Sequence, residues 1–141
     1  MVNIYCNNKE INSILVFVNF SDEFRNRTKK FAIEIVKLFR KLPKTDDAQI
    51  LGKQLLRSAT SVAANYRAAC RARSKAEFIA KLGIVVEEAD ESVFWLEIMT
   101  ETDILDIHKV DHLMKEADEL MKISSSARKT ARENHAASKI K

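Results

Sequence analysis

Apolar residues recur at helical intervals along four successive stretches of the chain. Phe24, Phe31, Ile35, Leu38 and Leu42, with Thr28 among them, keep one face of a first helix. That helix is predicted over Ser21 to Leu42, with Ser21 or Asp22 as its cap. Pro43 ends it, because proline disfavours helical conformation in the residue before it. Asp46 or Asp47 caps a second helix reaching about Ala72, with Leu51, Leu55, Ala59, Val62, Tyr66 and Ala69 on its core side. Ser74 caps a third, and Glu77 three residues on completes a capping box. Its stripe is Phe78, Leu82, Val85, Ala89, Val93 and Leu96. A break near Thr102–Asp106, with no Gly or Pro to mark it, precedes a fourth helix carrying Val110, Met114, Ala117 and Met121.

The pattern therefore predicts an all-α fold, an antiparallel up-and-down four-helix bundle over residues 21–123. Residues 1–20 fall outside it as an N-terminal extension. The Val/Ile/Phe-rich piece Ile14–Val18 favours a strand, yet no second strand is available to pair with it. Packing on a neighbouring subunit and an extension with little structure are both open. Beyond Ser124-Ser125-Ser126, residues 124–141 turn small, polar and basic, and a frayed tail is expected.

Composition agrees with one helical domain long enough to bury a core. The 141 residues are 46% hydrophobic and 31% charged, with two Gly and one Pro, which excludes a disordered chain. The net charge of +4 is modest, but it is unevenly spread. Residues 44–76 carry seven Lys/Arg against Asp46 and Asp47, residues 77–106 nine Asp/Glu against Lys81, and the chain from Lys122 six Lys/Arg against Glu133. Such segregation means helices neutralising one another, a basic surface for an anionic partner, or both. Cys6 and Cys70 show neither metal-ligand spacing nor a disulfide framework, which fits a reducing cytoplasm. The apolar run Ile14–Phe20 is too short to span a bilayer and makes a poor signal peptide, so no membrane association is expected.

On a wheel of 100° per residue with Arg57 at zero, Lys75 lies at about 0°, Lys53 and Arg71 at about −40° and Arg67 at about −80°. Five basic residues thus line one stripe of the second helix, while Ser58, Ser61, Ala63 and Ala68 permit close approach of a neighbour. The stripe is a solvated face, a set of partners for acids of the third helix, or a track for phosphates. A linear array of Arg and Lys suits a polyanion backbone. The third helix is apolar on two sides: Ile84, Phe94, Trp95 and Ile98 lie on a second flank, interleaved with Glu87, Glu88 and Glu91. A helix apolar on two sides is usually buried on both, so this flank is expected to meet another subunit. The alternative is that Trp95 covers a bundle edge.

Little points to catalysis. No Glu-x-x-His occurs, as a dinuclear site in a bundle requires, and there is no Gly-rich phosphate loop. His108, His112 and Glu116 share a helical face, a spacing that also arises easily on a solvated surface. No catalytic residue, metal or cofactor is expected.

The stretch Leu51–Met99 resembles the four-helix-bundle proteins encoded in intervening sequences of bacterial 23S ribosomal RNA genes. The resemblance rests on Gln54-Leu55-Leu56-Arg57-Ser58, Ser61-Val62, Ala64-Asn65, Arg71-Ala72-Arg73-Ser74, Glu77-Phe78, Glu87-Glu88-Ala89-Asp90-Glu91 and Trp95-Leu96. It extends from about Arg25 to Leu105. It implies a bundle assembling as a ring-like homopentamer, similar to the basic accessory variability protein of diversity-generating retroelements, which is thought to engage nucleic acid and a reverse transcriptase. Family members often have Gly where this chain has Ala59 and Ala63, and they typically begin near the first helix.

The sequence thus predicts a non-enzymatic homo-oligomer that binds nucleic acid, structured RNA foremost, through Lys53, Arg57, Arg67, Arg71 and Lys75. Arg128, Lys129 and Arg132 of the tail are candidates for further contacts. Almost no aromatic residue interleaves the stripe, so base stacking is not expected. The competing expectation is an adaptor ring that docks a protein such as a polymerase without touching nucleic acid.

Overall fold

The computed structural model describes residues 8–140, with side chains from Ser21 onward. Four helices follow one another: α1 (Asn8–Arg40), α2 (Asp46–Cys70), α3 (Lys75–Glu101) and α4 (Ile107–Lys139). No strand occurs among the described residues. Each helix packs on its successor and α4 returns to α1, more sparsely than the other pairs. With connections this short, neighbours run antiparallel, and the helices close a bundle in the order α1-α2-α3-α4.

The caps follow from local chemistry. Ser74 Oγ accepts from the Glu77 N–H at 3.0 Å, and the Glu77 carboxylate accepts the Arg73 N–H at 2.9 Å. The expected reciprocal box is present, with its return bond one residue upstream of the cap. Thr45, rather than either aspartate, occupies the N-cap of α2, and Asp47 accepts the Ala48 N–H. The unmarked break is a turn in which Asp103 adopts φ 60°, a conformation Asp tolerates better than most residues. Asp106 then caps α4 through the His108 N–H at 3.0 Å.

The core is continuous through all four helices. Phe31 and Ile35 of α1, Leu55 and Val62 of α2, Leu82, Val85, Leu96 and Met99 of α3, and Val110 and Leu120 of α4 are fully buried. In α4 the buried stripe is Val110, Leu113, Ala117, Leu120 and Ser124, while Met114 and Met121, placed on it from sequence, are only partly covered. At the α2–α3 seam the buried Ser92 hydroxyl lies 2.9 Å from Ser58 Oγ and 2.8 Å from Glu88 O, its one proton serving the two, and Ser58 Oγ donates to Leu55 O. The small residue at 58 does permit the close approach expected of it, with both hydroxyls satisfied.

Three expectations are revised. Ile14–Val18 is helical: α1 begins at Asn8, well upstream of the expected cap at Ser21. Without a strand partner β-propensity has nothing to pair with, whereas helix propagation adds a backbone bond per residue. Residues 1–7 of the proposed extension, Cys6 among them, lie outside the described residues. The basic tail is likewise helical, α4 running unbroken through the three serines to Lys139. Ser124 is buried, so packing outweighs its weak helix propensity. Finally, α2 ends at Cys70, and Lys75 opens α3 instead of extending the α2 stripe.

Candidate nucleic-acid interface

The basic stripe of α2 straddles two seams of the bundle. Arg57 faces α3, where its guanidinium bonds the Glu91 carboxylate and reaches Glu88 at 3.4 Å. Glu91 also accepts the Trp95 indole N–H at 3.1 Å. That indole, with Arg57 beside it, holds the Glu91 carboxyl below its ordinary range, and the two carboxylates raise the Arg57 pKa. Arg57 is thereby an ion-pair partner of the acidic helix, as one of the alternatives had it.

Arg67 and Arg71 face the other way. Together with Arg25, Asn26 and Lys29 of α1, and with Ala63 and Ala64, they line a groove of about 520 Å³. The two alanines keep α1 and α2 from filling the space between them. Arg67 and Arg71 lie one turn apart, about 6 Å along the helix. Arg67, Arg71 and Lys29 have no ion-pair partner among the described residues, and Arg25 holds only Asp22, at 2.8 Å on the surface. Four cations thus converge on a channel with no carboxylate in its lining, an arrangement that concentrates anions. In the core, Tyr66 meets Phe24 edge to face at 4.6 Å, and burial pushes its phenol up to about 12. Cys70 Sγ lies 3.3 Å from Ser21 Oγ.

Of the five predicted contacts, then, Arg67 and Arg71 share a groove, Arg57 belongs to the opposite seam, and Lys53 and Lys75 are exposed elsewhere. Arg25 and Lys29 are functional candidates that sequence reasoning missed. The signal was available, since Arg25 and Lys29 stand at i and i+4 on the first helix. Arg27 was also missed. It forms a fork with Glu116 at 2.6 and 2.9 Å and reaches Glu119 at 2.9 Å, tying α1 to α4. His112 Nε2 lies 4.0 Å from Glu34, and Glu116 is committed to Arg27. No group of three or more His, Cys, Asp or Glu among the described residues is placed to hold a metal. No helix among them is long and apolar enough to cross a membrane.

On the outer side of α3, Phe94 is 49% exposed and meets Trp95 edge to face at 5.0 Å. Trp95 itself packs partly against the core, as do its neighbours on the bundle side. Ile84 and Ile98 are half-buried within the single chain.

The model of the 23S rRNA-intervening sequence proteins matches residues 22–126. The chain belongs to that family. A solved structure of a protein of unknown function from the S23 ribosomal protein family of Bacteroides thetaiotaomicron is similar to it, at 33% identity and a TM-score of 0.72. The similarity covers 77% of this chain and 97% of that one. No curated protein matches. The matched span of the 23S rRNA-intervening sequence family takes in all the groove cations and both seams of α2, but stops short of the basic end of α4.

Proposed function

We propose that this protein is a non-enzymatic, homo-oligomeric helical bundle that binds nucleic acid, structured RNA foremost, by phosphate contacts in the α1–α2 groove. The observation that carries this reading is the convergence of Arg67, Arg71, Lys29 and Arg25 on a groove with no carboxylate in its lining. Guanidinium forks engage phosphate oxygens in pairs, and such contacts position a polyanion without reading its sequence. Arg57 contributes through the fold, by holding α2 to α3, and not through the ligand. Self-association is supported by the exposure of Phe94 beside Trp95 on the outer flank of α3.

The test is RNA binding by charge-reversed proteins of verified helicity. Arg67→Glu with Arg71→Glu is expected to weaken binding at least about a hundredfold, four charge units being changed in the channel. Arg57→Glu is expected to lower stability more than affinity. Unchanged affinity in the folded Arg67/Arg71 variant would refute the assignment. The exposed Phe94 also favours a second reading, an adaptor ring that docks a protein such as a polymerase. Salt-insensitive capture of such a partner, without affinity for RNA, would select it.

A further inference from the structure

A second basic cavity lies on the opposite side of the bundle, between α3 and α4, and rests on an unusual contact. Gly83 stands in the middle of α3 with ordinary helical φ, where alanine would favour the helix. A Cβ at that position would come within 3.0 Å of Arg128 Nε and 3.3 Å of Cζ and Nη2. The missing methyl therefore lets the Arg128 guanidinium lie against the α3 backbone. Its Nε–H is buried there with no acceptor, and no carboxylate among the described residues pairs with it. With Nε enclosed against α3 and no carboxylate pairing the guanidinium, its charge is left for a partner that meets the less enclosed nitrogens from the cavity.

The cavity measures about 470 Å³. Ser125, Arg128 and Arg132 present themselves to it at successive turns of α4, with Lys129 and Glu133 beside them. Three cations against one carboxylate leave an excess of two positive charges in the lining. The geometry points to a binding site for a phosphate monoester at this cavity, seated by the Arg128 and Arg132 guanidinium groups with the Ser125 hydroxyl as a further donor. A monoester carries between about one and a half and two negative charges at neutral pH, which matches the excess. A carboxylate carries one. The guanidinium fork suits the phosphate oxygens, and the absent Cβ of Gly83 leaves room for it against α3.

The experiment follows the Arg Nε–H and backbone amide resonances of the 141-residue protein during titration with inorganic phosphate, with 5′-AMP and with acetate. Saturable shifts of the Arg128 Nε–H and Ser125 amide in the millimolar range are expected for phosphate and AMP, and none for acetate. Arg128→Gln should abolish the Ser125 response. Gly83→Ala is the decisive variant: its methyl displaces only the end of a long side chain, so thermal stability should hold or rise while phosphate affinity falls about tenfold. The Arg67→Glu/Arg71→Glu protein should respond like the wild type, since its groove lies on the other side of the bundle. No saturable shift, an equal response to acetate, or full affinity in Gly83→Ala would each overturn the site.

Discussion

Glu91 joins α2 to α3, and its replacement by Gln tests the account of the basic stripe quantitatively. The carboxylate accepts from Arg57 across the seam and from the Trp95 indole on its own helix. An amide can still accept from the indole but loses the charge that draws Arg57. Hydrogen bonds to charged groups contribute about 1.5–3 kcal/mol. Glu91 is a third exposed and Arg57 half exposed, so solvent screening reduces this to about 1 kcal/mol. For a domain of this size that lowers the melting temperature by about 3 °C at pH 7. The pH dependence fixes the cause. Glu91 is held below its ordinary pKa in the folded protein, so its ionisation stabilises the fold above the usual carboxylate range, about pH 4.3. That contribution is lost as pH falls through the folded value. The gap between wild type and Glu91→Gln, followed by circular dichroism at low salt, should therefore be full at pH 6–7 and close on acidification below about pH 4. A gap independent of pH would show that the charge does not matter. No gap at pH 7 would remove Arg57 from the bundle and return it to the candidate ligand contacts.

Other perturbations have equally definite outcomes. Arg27→Ala and Glu116→Ala in a double-mutant cycle should show a coupling of about 1 kcal/mol by chemical denaturation, because the fork is partly buried; additivity would contradict it. Asp103→Val places a β-branched residue at φ 60° and should cost about 1–2 kcal/mol, whereas equal stability would mean the turn relaxes freely. Phe94→Ser should lower the mass measured by light scattering without loss of helicity, since truncating an interface aromatic commonly costs about 2 kcal/mol. An unchanged mass would exclude Phe94 as an anchor.

The bundle was legible because four runs of apolar residues at helical spacing and one strong capping box agree, and Ser74 with Glu77 fixed the start of α3 almost to the residue. The ends of α1 and α4 were not. Ile14–Val18 is rich in strand formers and Ser124–Ser126 in weak helix formers, and both segments are carried into helix by propagation and packing. The basic stripe shows a deeper limit. A wheel places Arg57 and Arg67 on neighbouring parts of one face, but not which neighbour each meets. That depends on the order of helices round the bundle, which sends Arg57 to the acids of α3 and Arg67 to the cations of α1. The contact of Arg128 with Gly83 joins residues 45 positions apart and leaves no periodic trace; only a glycine inside a helix hints at it.

The central claim is that phosphate contacts in the α1–α2 groove bind RNA, and its most direct measurement is RNA affinity across a salt series with mass determined in the same buffers. Engagement of the four groove cations predicts a log–log slope of about −3 on an intact assembly, reduced toward zero by Arg67→Glu with Arg71→Glu. Absence of binding at low salt, or a slope the double variant leaves unchanged, would contradict the account.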